Sequence, residues 1–144
     1  MLDQPHKAVI AVTGADGYVS PDWYEVPDQV PTWNYVAVHL RGTLERLSQD
    51  QIREMLEMQS KHFEDQLAPK PPWLTTKMTP DVLDKMMRQI VPCRLTVTKI
   101  TGTWKLSQNK PDDERLRAAD KIETSTSGID TQTLAHLMRF PPEQ

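Results

Sequence analysis

The chain has 144 residues and a formal net charge of −3, with 38% hydrophobic and 26% charged residues, 12 prolines and a single cysteine. A chain of this length buries roughly two thirds of its unfolded surface in one core, so we expect one domain and no second. The lack of a long Lys/Arg run argues against independent binding of DNA phosphates, and the lone Cys93 excludes an internal disulfide, which favours a reducing, cytoplasmic location.

The N-terminal segment predicts a buried strand followed by a turn. Residues 7–13 are an apolar run rich in β-branched side chains, and residues 14–17 (GADG) are typical of a turn. Residues 18–24 follow as a short extended piece that Pro21 interrupts. No segment resembles a signal peptide or reaches the length of a membrane span, so we expect a soluble protein.

A long strand is predicted over residues 32–47, because two kinds of side chain alternate there. The expected core face consists of Asn34, Val36, Val38, Leu40 and Leu44. The other face is aromatic and semi-polar, and consists of Trp33, Tyr35, His39, Arg41 and Glu45. This second face is richer in aromatic groups than a solvated surface, so we expect a ligand or a second subunit to cover it.

Two helices are predicted in the middle of the chain. Ser48 and Gln51 have the spacing of a capping box at the start of a helix over residues 49–66. Thr79 is the predicted N-cap of a second helix, with Pro80 at its first position. The residues expected to face inward from it are Val82, Leu83, Met86, Met87 and Ile90.

A second long strand is predicted over residues 92–107, with a change of apolar phase near Gly102 that a β-bulge would explain. The match between residues 41–43 (RGT) and 101–103 (TGT) suggests two neighbouring strands bent at matching glycines. A helix opening with Pro111, a linker over residues 123–128 and a last helix over residues 131–138 complete the chain. These elements predict an α+β fold built on an antiparallel barrel or curved sheet.

Three segments resemble the PaiB-type FMN-binding negative transcriptional regulators. They are residues 15–24 (ADGYVSPDWY), 30–42 (VPTWNYVAVHLRG) and 102–109 (GTWKLSQN), which occur in the family's order. The similarity covers residues 9–117, whereas the helical tail over residues 121–144 matches loosely. The resemblance implies a cytoplasmic flavoprotein: a single split-barrel domain over residues 1–144, with helices packed on an antiparallel split β-barrel, which forms a homodimer and binds FMN between the subunits.

The resemblance also places two segments near the flavin. The implied cofactor-binding residues are Trp33, Asn34, Tyr35, Lys105, Ser107, Gln108 and Asn109. An isoalloxazine ring needs a flat wall with amide or hydroxyl groups at its edge, and a phosphate needs a cation such as Lys105 or Arg41. The plainer alternatives remain open: Trp33 in the core, Lys105 as a solvated side chain, and Asn109 as a helix N-cap.

The family implies additional strands ahead of residue 7 that hold the FMN phosphate, and this sequence does not contain them. We therefore expect a barrel incomplete at its N-terminus, whose open edges favour dimerisation. Three functions stay open: an FMN-binding regulator acting through redox state or partners, a small FMN-dependent oxidoreductase, and a flavin-free dimeric interaction module. No catalytic residue is assigned, with His39 the one weak candidate, and the four histidines lack metal-ligand spacing.

Overall fold

The computed structural model describes residues 3–143. The strands in this range are β1 (His6–Val19), β2 (Thr32–Arg46), β3 (Cys93–Lys105) and β4 (Gly128–Ile129). The α-helices are α1 (Ile52–Asp65), α2 (Pro80–Met87), α3 (Asp112–Ile122) and α4 (Thr131–Arg139). The strands form one antiparallel sheet in the order β3-β2-β1-β4, and this sheet does not close. The α+β class is confirmed, and the split barrel stays a prediction.

The described residues pack as two compact units, each with its own apolar cluster. The first unit consists of residues 3–8 and 42–97, and the second of residues 9–41 and 98–143. The strands β1, β2 and β3 each contribute residues to both units. None of the helices within residues 3–143 has the length and apolar content needed to cross a membrane.

The second unit has the larger core. Val19, Tyr24 and Leu106 are buried there against the facing sides of α3 and α4. The helix residues of this core are Ala118, Ala119, Ile122, Leu134, Ala135 and Met138, all fully buried. Three of them are alanines, whose small side chains let α3 and α4 approach closely, while each buried Leu or Ile side chain contributes about 1.5–3 kcal/mol. This core supports the sheet end that carries the candidate site.

The core of the first unit is small, and the predicted inward face of α2 is partly wrong. Leu83 and Met87 are buried with Ile52 of α1, but Val82, Met86 and Ile90 are exposed. Leu83 and Met87 are spaced i, i+4 and therefore lie in one row along the helix. A helix of eight residues packed against one neighbour buries a single such row, and the adjacent row remains in solvent.

The predicted starts of α2 and α4 are correct, whereas α1 begins at Ile52, after a 3-10 turn over residues 49–51, and α3 begins at Asp112. Thr79 is the N-cap of α2 and Pro80 its first residue, as predicted. The capping box at Ser48 is wrong, since the Ser48 hydroxyl donates to the Asp50 carboxylate at 3.3 Å and makes no side-chain cap. Pro111 is the N-cap of α3 instead of its first helical residue.

The predicted turn at residues 14–17 is wrong, because β1 continues through it to Val19. The reason is the pairing with β4, in which Gly17 lies opposite Gly128. A Cβ atom on Gly17 would lie 2.9 Å from Ile122 Cδ1. Gly17 therefore allows the strand to pack closely against α3 and does not mark a turn of the chain.

Gly42 marks a close approach between β2 and β3. A Cβ atom there would lie 2.1 Å from the Thr96 carbonyl oxygen, whereas one on Gly102 would meet only the Trp104 side chain, at 3.3 Å from its Nε1. The two strands are neighbours, as predicted. Gly42 lies beside residues 96–97, however, so the predicted match between the two glycines is wrong, and the bends themselves stay a prediction.

We expect Gly42→Ala to lower the free energy of unfolding by about 2 kcal/mol or more, because its Cβ would overlap backbone atoms that cannot move aside. Gly102→Ala is the matched control and should change stability by less than about 0.5 kcal/mol. Urea denaturation of both variants measures the difference. Equal stability of the two variants would contradict the close approach.

Candidate functional site

A cavity of about 250 Å³ lies in the second unit beside the end of β3. The predicted cofactor residues that line it are Asn34, Lys105, Ser107, Gln108 and Asn109. The lining residues that the sequence did not single out are Tyr24, Asp28, Gln29, Val30, Thr32 and Lys110. The structure thus brings five of the seven predicted residues, from two segments some 70 residues apart in sequence, to one place.

Trp33 and Tyr35 do not line this cavity. They flank Asn34 on β2, and successive side chains of a strand point to opposite faces of the sheet. Trp33 is 45% exposed and its ring lies 6.4 Å from that of Tyr18, centroid to centroid. The alternative of Trp33 as a core residue is therefore wrong, while a role for its exposed face in binding stays a prediction.

Ser107 is the centre of a buried polar cluster. Its hydroxyl accepts a hydrogen bond from Asn34 Nδ2 at 2.9 Å and shares another with the Tyr24 hydroxyl at 2.8 Å. All three residues are buried, and Ser107 has a φ of 62°, in the left-handed region that non-glycine residues rarely adopt. The turn after β3 thus brings the serine hydroxyl inward, where two long-range hydrogen bonds offset the unfavourable backbone conformation.

The Asn34 side chain uses its donors but not its acceptor. Its Nδ2 donates to Ser107 and also to the sulfur of Met138, at 3.4 Å. Its carbonyl oxygen, Oδ1, is buried and has no hydrogen-bond partner within the described residues. A buried carbonyl left unpaired costs about 1–3 kcal/mol, so this oxygen marks a place where a donor from outside the chain would be stabilising.

Gln108 supports the turn and does not present a free amide. Its Oε1 accepts from the backbone N–H of Leu106 at 2.8 Å, and its Nε2 donates to the Trp104 carbonyl at 2.7 Å. Asn109 lies in the same turn with its side chain exposed, and the N-cap position of α3 belongs to Pro111. The alternative role of Asn109 as the cap of the following helix is therefore wrong.

The cavity is lined by two lysines and one aspartate, a formal charge of +1 from Lys105, Lys110 and Asp28. Lys110 donates to the Gln29 side-chain carbonyl and lies 5.2 Å from the centroid of the Tyr24 ring. Lys105 is exposed and makes no ion pair with the described residues, so it is the more available cation. Arg41 is outside the cavity and donates instead to Thr101 Oγ1 at 3.4 Å.

The helices behind the cavity hold its cluster in place. Arg117 donates to the Tyr24 carbonyl oxygen from both Nε and Nη2, at 3.0 and 2.9 Å. The buried Arg115 guanidinium donates to the backbone carbonyl of Met138 and pairs with Asp112. These charge-assisted bonds fix the backbone positions of Tyr24 and Met138, whose side chains contact Ser107 and Asn34.

Residues 1–99 match the family model described as "Putative FMN-binding domain". The chain belongs to this PaiB-type FMN-binding family. It is 30% identical over 134 residues to "Protease synthase and sporulation protein PAI 2" of Bacillus subtilis (strain 168). The aligned region covers 90% of this chain and 61% of that protein. It is also 36% identical over 47 residues to "Uncharacterized protein YKL070W" of Saccharomyces cerevisiae (strain ATCC 204508 / S288c), 30% of this chain and 28% of that protein.

The family assignment and FMN as the cofactor, both implied by the sequence resemblance, are confirmed. The chain spans less than two thirds of the length of either curated relative. The matched range 1–99 includes Asn34 but ends before Lys105 and Ser107. The second half of the cavity is therefore outside the region that the family model matches.

The residues of the cavity fit part of an FMN molecule. The unpaired Asn34 oxygen can accept from a ring N–H, and Lys105 can supply charge to a phosphate. The volume of about 250 Å³ is below the roughly 300–1,000 Å³ of pockets that enclose a whole ligand of drug size. A cavity of this size would hold only part of such a ligand.

The packing of α4 against α3 should depend on pH through Glu123. Arg139 donates to the carboxylates of Glu123 and Asp120, each at 2.7 Å, and the hydrogen bond from Arg139 lowers the pKa of Glu123 below its ordinary value of 4.5. A lowered folded-state pKa contributes stability above the unfolded-state pKa, and this contribution is lost as the pH falls through the folded-state value. We expect Glu123→Gln to lower the Tm at pH 7, with a difference from wild type that shrinks below about pH 4.

Thermal unfolding followed by circular dichroism between pH 3 and 7 measures this dependence. Glu143→Gln, at an exposed carboxyl near the C-terminal end, is the control and should follow the wild type throughout. A Glu123→Gln difference that stays constant with pH would contradict the ion pair.

Proposed function

We propose that this chain is a PaiB-like flavoprotein that works as a homodimer, binds FMN against the Asn34 cavity, and regulates through the flavin state or through partner proteins. The observation that carries the proposal is the buried, unpaired Asn34 carbonyl in a cavity of net positive charge. Such an oxygen destabilises the ligand-free fold and becomes favourable only when a donor reaches it.

The oxidised isoalloxazine ring has a single N–H group, at N3, and this group suits the Asn34 oxygen. Because Oδ1 is buried, the lining of the cavity must move for a ring edge to reach it. Lys105 lines the same cavity and supplies positive charge of the kind that a phosphate needs. Bound FMN would supply the capacity to accept one or two electrons.

The composition of the cavity favours binding over acid–base catalysis. Its titratable side chains are Tyr24, Asp28, Lys105 and Lys110, with no histidine or cysteine among the described lining residues. His39 is half-buried on β2 and does not line the cavity. The carboxyl groups whose pKa is lowered, Glu64, Asp113 and Glu123, are also elsewhere. A regulatory flavin suits this set better than a proton-transferring enzyme does.

A second subunit would cover the apolar strands. Val9, Ile10 and Val12 of β1 are each about half exposed, and adjacent residues of a strand point to opposite faces. On β3, Val97, Ile100 and Trp104 are also exposed. Apolar side chains that are exposed on both faces of a sheet are typical of a subunit interface. We therefore expect a second copy of the chain to bury this surface and to complete the FMN site.

The regulatory role rests on the relative and on charge. The name of the Bacillus protein refers to a protease synthase and to sporulation. This chain has a net charge of −3, which does not suit direct capture of DNA phosphates. Regulation through a protein partner, or through the redox state of the flavin, is consistent with both observations.

The test of the FMN site is Asn34→Leu, which replaces the amide by an apolar side chain of similar shape. We expect FMN affinity to fall about tenfold or more in a fluorescence-quenching titration, because the flavin would lose its hydrogen bond to the Asn34 carbonyl oxygen. The Tm of the ligand-free protein should change little, because removal of the carbonyl without a partner opposes the loss of the hydrogen bond to Ser107.

Gln132→Leu is the matched control, since it removes an exposed amide of α4 outside the cavity and should leave FMN affinity unchanged. Unchanged affinity in Asn34→Leu would place the flavin elsewhere. If the wild type itself takes up no FMN, the flavin-free interaction module is the better account.

The test of the dimer is the molar mass in solution. We expect light scattering coupled to gel filtration to give twice the chain mass of 16.5 kDa for the wild type. Ile10→Glu, which places a charge on the apolar β1 surface, should shift the protein toward the monomer and weaken FMN uptake. A wild-type monomer that binds FMN fully would contradict a site shared between subunits.

A further inference from the structure

We propose that Met138 and Tyr24 are positioning residues that fix which end of the Asn34 amide is left for the ligand, so that the site selects a ligand carrying an N–H donor. This inference rests on the proposed FMN site and deepens it. It assigns a role to the C-terminal helix, which lies beyond the region that the family model matches.

An asparagine amide has two ends of similar size and opposite hydrogen-bonding character, a carbonyl oxygen and an NH₂ group. Turning the side chain over exchanges an acceptor for two donors at the same place. The cluster must therefore contain a group that distinguishes the two ends, if the cavity is to present one of them reliably to a ligand.

Met138 makes this distinction. Its thioether sulfur can accept a hydrogen bond but has no hydrogen to donate, and it lies 3.4 Å from Asn34 Nδ2. In the reverse orientation the amide oxygen would face the sulfur, which places two acceptors in contact. Met138 is fully buried in the core of the second unit, so its sulfur has little freedom to move away.

Ser107 cannot make the distinction alone, because a hydroxyl can donate or accept. The Tyr24 hydroxyl lies 2.8 Å from Ser107 Oγ, and the two hydroxyl groups share that contact. When Ser107 donates its only hydrogen to Tyr24, it can only accept from Asn34, which again favours the NH₂ end. Tyr24 is held for this role by burial and by the two hydrogen bonds from Arg117 to its carbonyl oxygen.

The consequence is a site with a defined polarity. Both hydrogens of the Asn34 amide are directed to Ser107 and Met138, and the carbonyl is the part without a partner among the described residues. A ligand edge with an N–H group is stabilised there, while an edge with a carbonyl group meets repulsion between two acceptors. The polarity of the cavity is thus determined by Met138, which does not line it, together with Tyr24, which does.

The experiment is a double-mutant cycle on FMN affinity that combines Met138→Leu with Asn34→Leu. Leucine has nearly the volume of methionine but no acceptor. We expect Met138→Leu alone to weaken FMN binding about three- to tenfold. In a chain that already carries Asn34→Leu, it should cause no further loss of FMN affinity, because there is no amide to orient. Tyr24→Phe should show the same pattern with a smaller loss.

Two further measurements separate positioning from simple support of the fold. The first follows the N3–H proton of bound ¹⁵N-labelled FMN by NMR, which should be protected from exchange in the wild type and less so in Met138→Leu. The second is the control Leu134→Met, a conservative change at a fully buried residue of the same helix, which should leave FMN affinity and the N3–H signal unchanged.

Equal losses from Met138→Leu in the wild-type and Asn34→Leu backgrounds, or no loss in either, would overturn the orienting role and leave the FMN site intact. Unchanged FMN binding in Asn34→Leu alone would instead overturn the site, and this inference with it.

Discussion

The hydrogen bond from Asn34 to Ser107 is the contact on which the candidate site depends. It joins β2 to the turn after β3 across 73 positions of sequence, within a cluster that also contains Tyr24 and Met138. Because these groups are buried, each lost partner would leave a polar atom uncompensated, so the cluster has few alternative arrangements. The atom of the cluster without a partner among the described residues, Asn34 Oδ1, is the exception, and it is the atom on which the proposed FMN site rests.

The location of the site follows from the packing of α3 and α4 against the sheet end. Arg117 fixes the backbone of Tyr24, and Arg115 fixes that of Met138, so the helices determine where the polar cluster forms. The proposed FMN site is thereby connected to helices outside the matched range 1–99.

The sequence predicted much of this arrangement, and its errors have identifiable causes. The long strands β2 and β3, the four helices and five cavity-lining residues were predictable, because alternation of side chains, helical spacing and the family motifs are local features of the chain. Gly17 was misread as a turn because its tight contact with Ile122 is formed by distant residues. The role of Met138 could not be predicted from local sequence, since it depends on a contact with a residue 104 positions away. The apolar pattern of α2 likewise did not show that Val82 would remain exposed.

NMR of the ¹⁵N-labelled protein tests most directly whether FMN contacts the Asn34 side chain. On addition of FMN, the side-chain amide signal of Asn34 should shift strongly, because a hydrogen bond to its carbonyl oxygen polarises the whole amide, while the signal of the exposed Gln132 amide stays in place. An Asn34 signal that does not move while flavin absorbance co-elutes with the protein would contradict the account, since FMN would then be bound at another site.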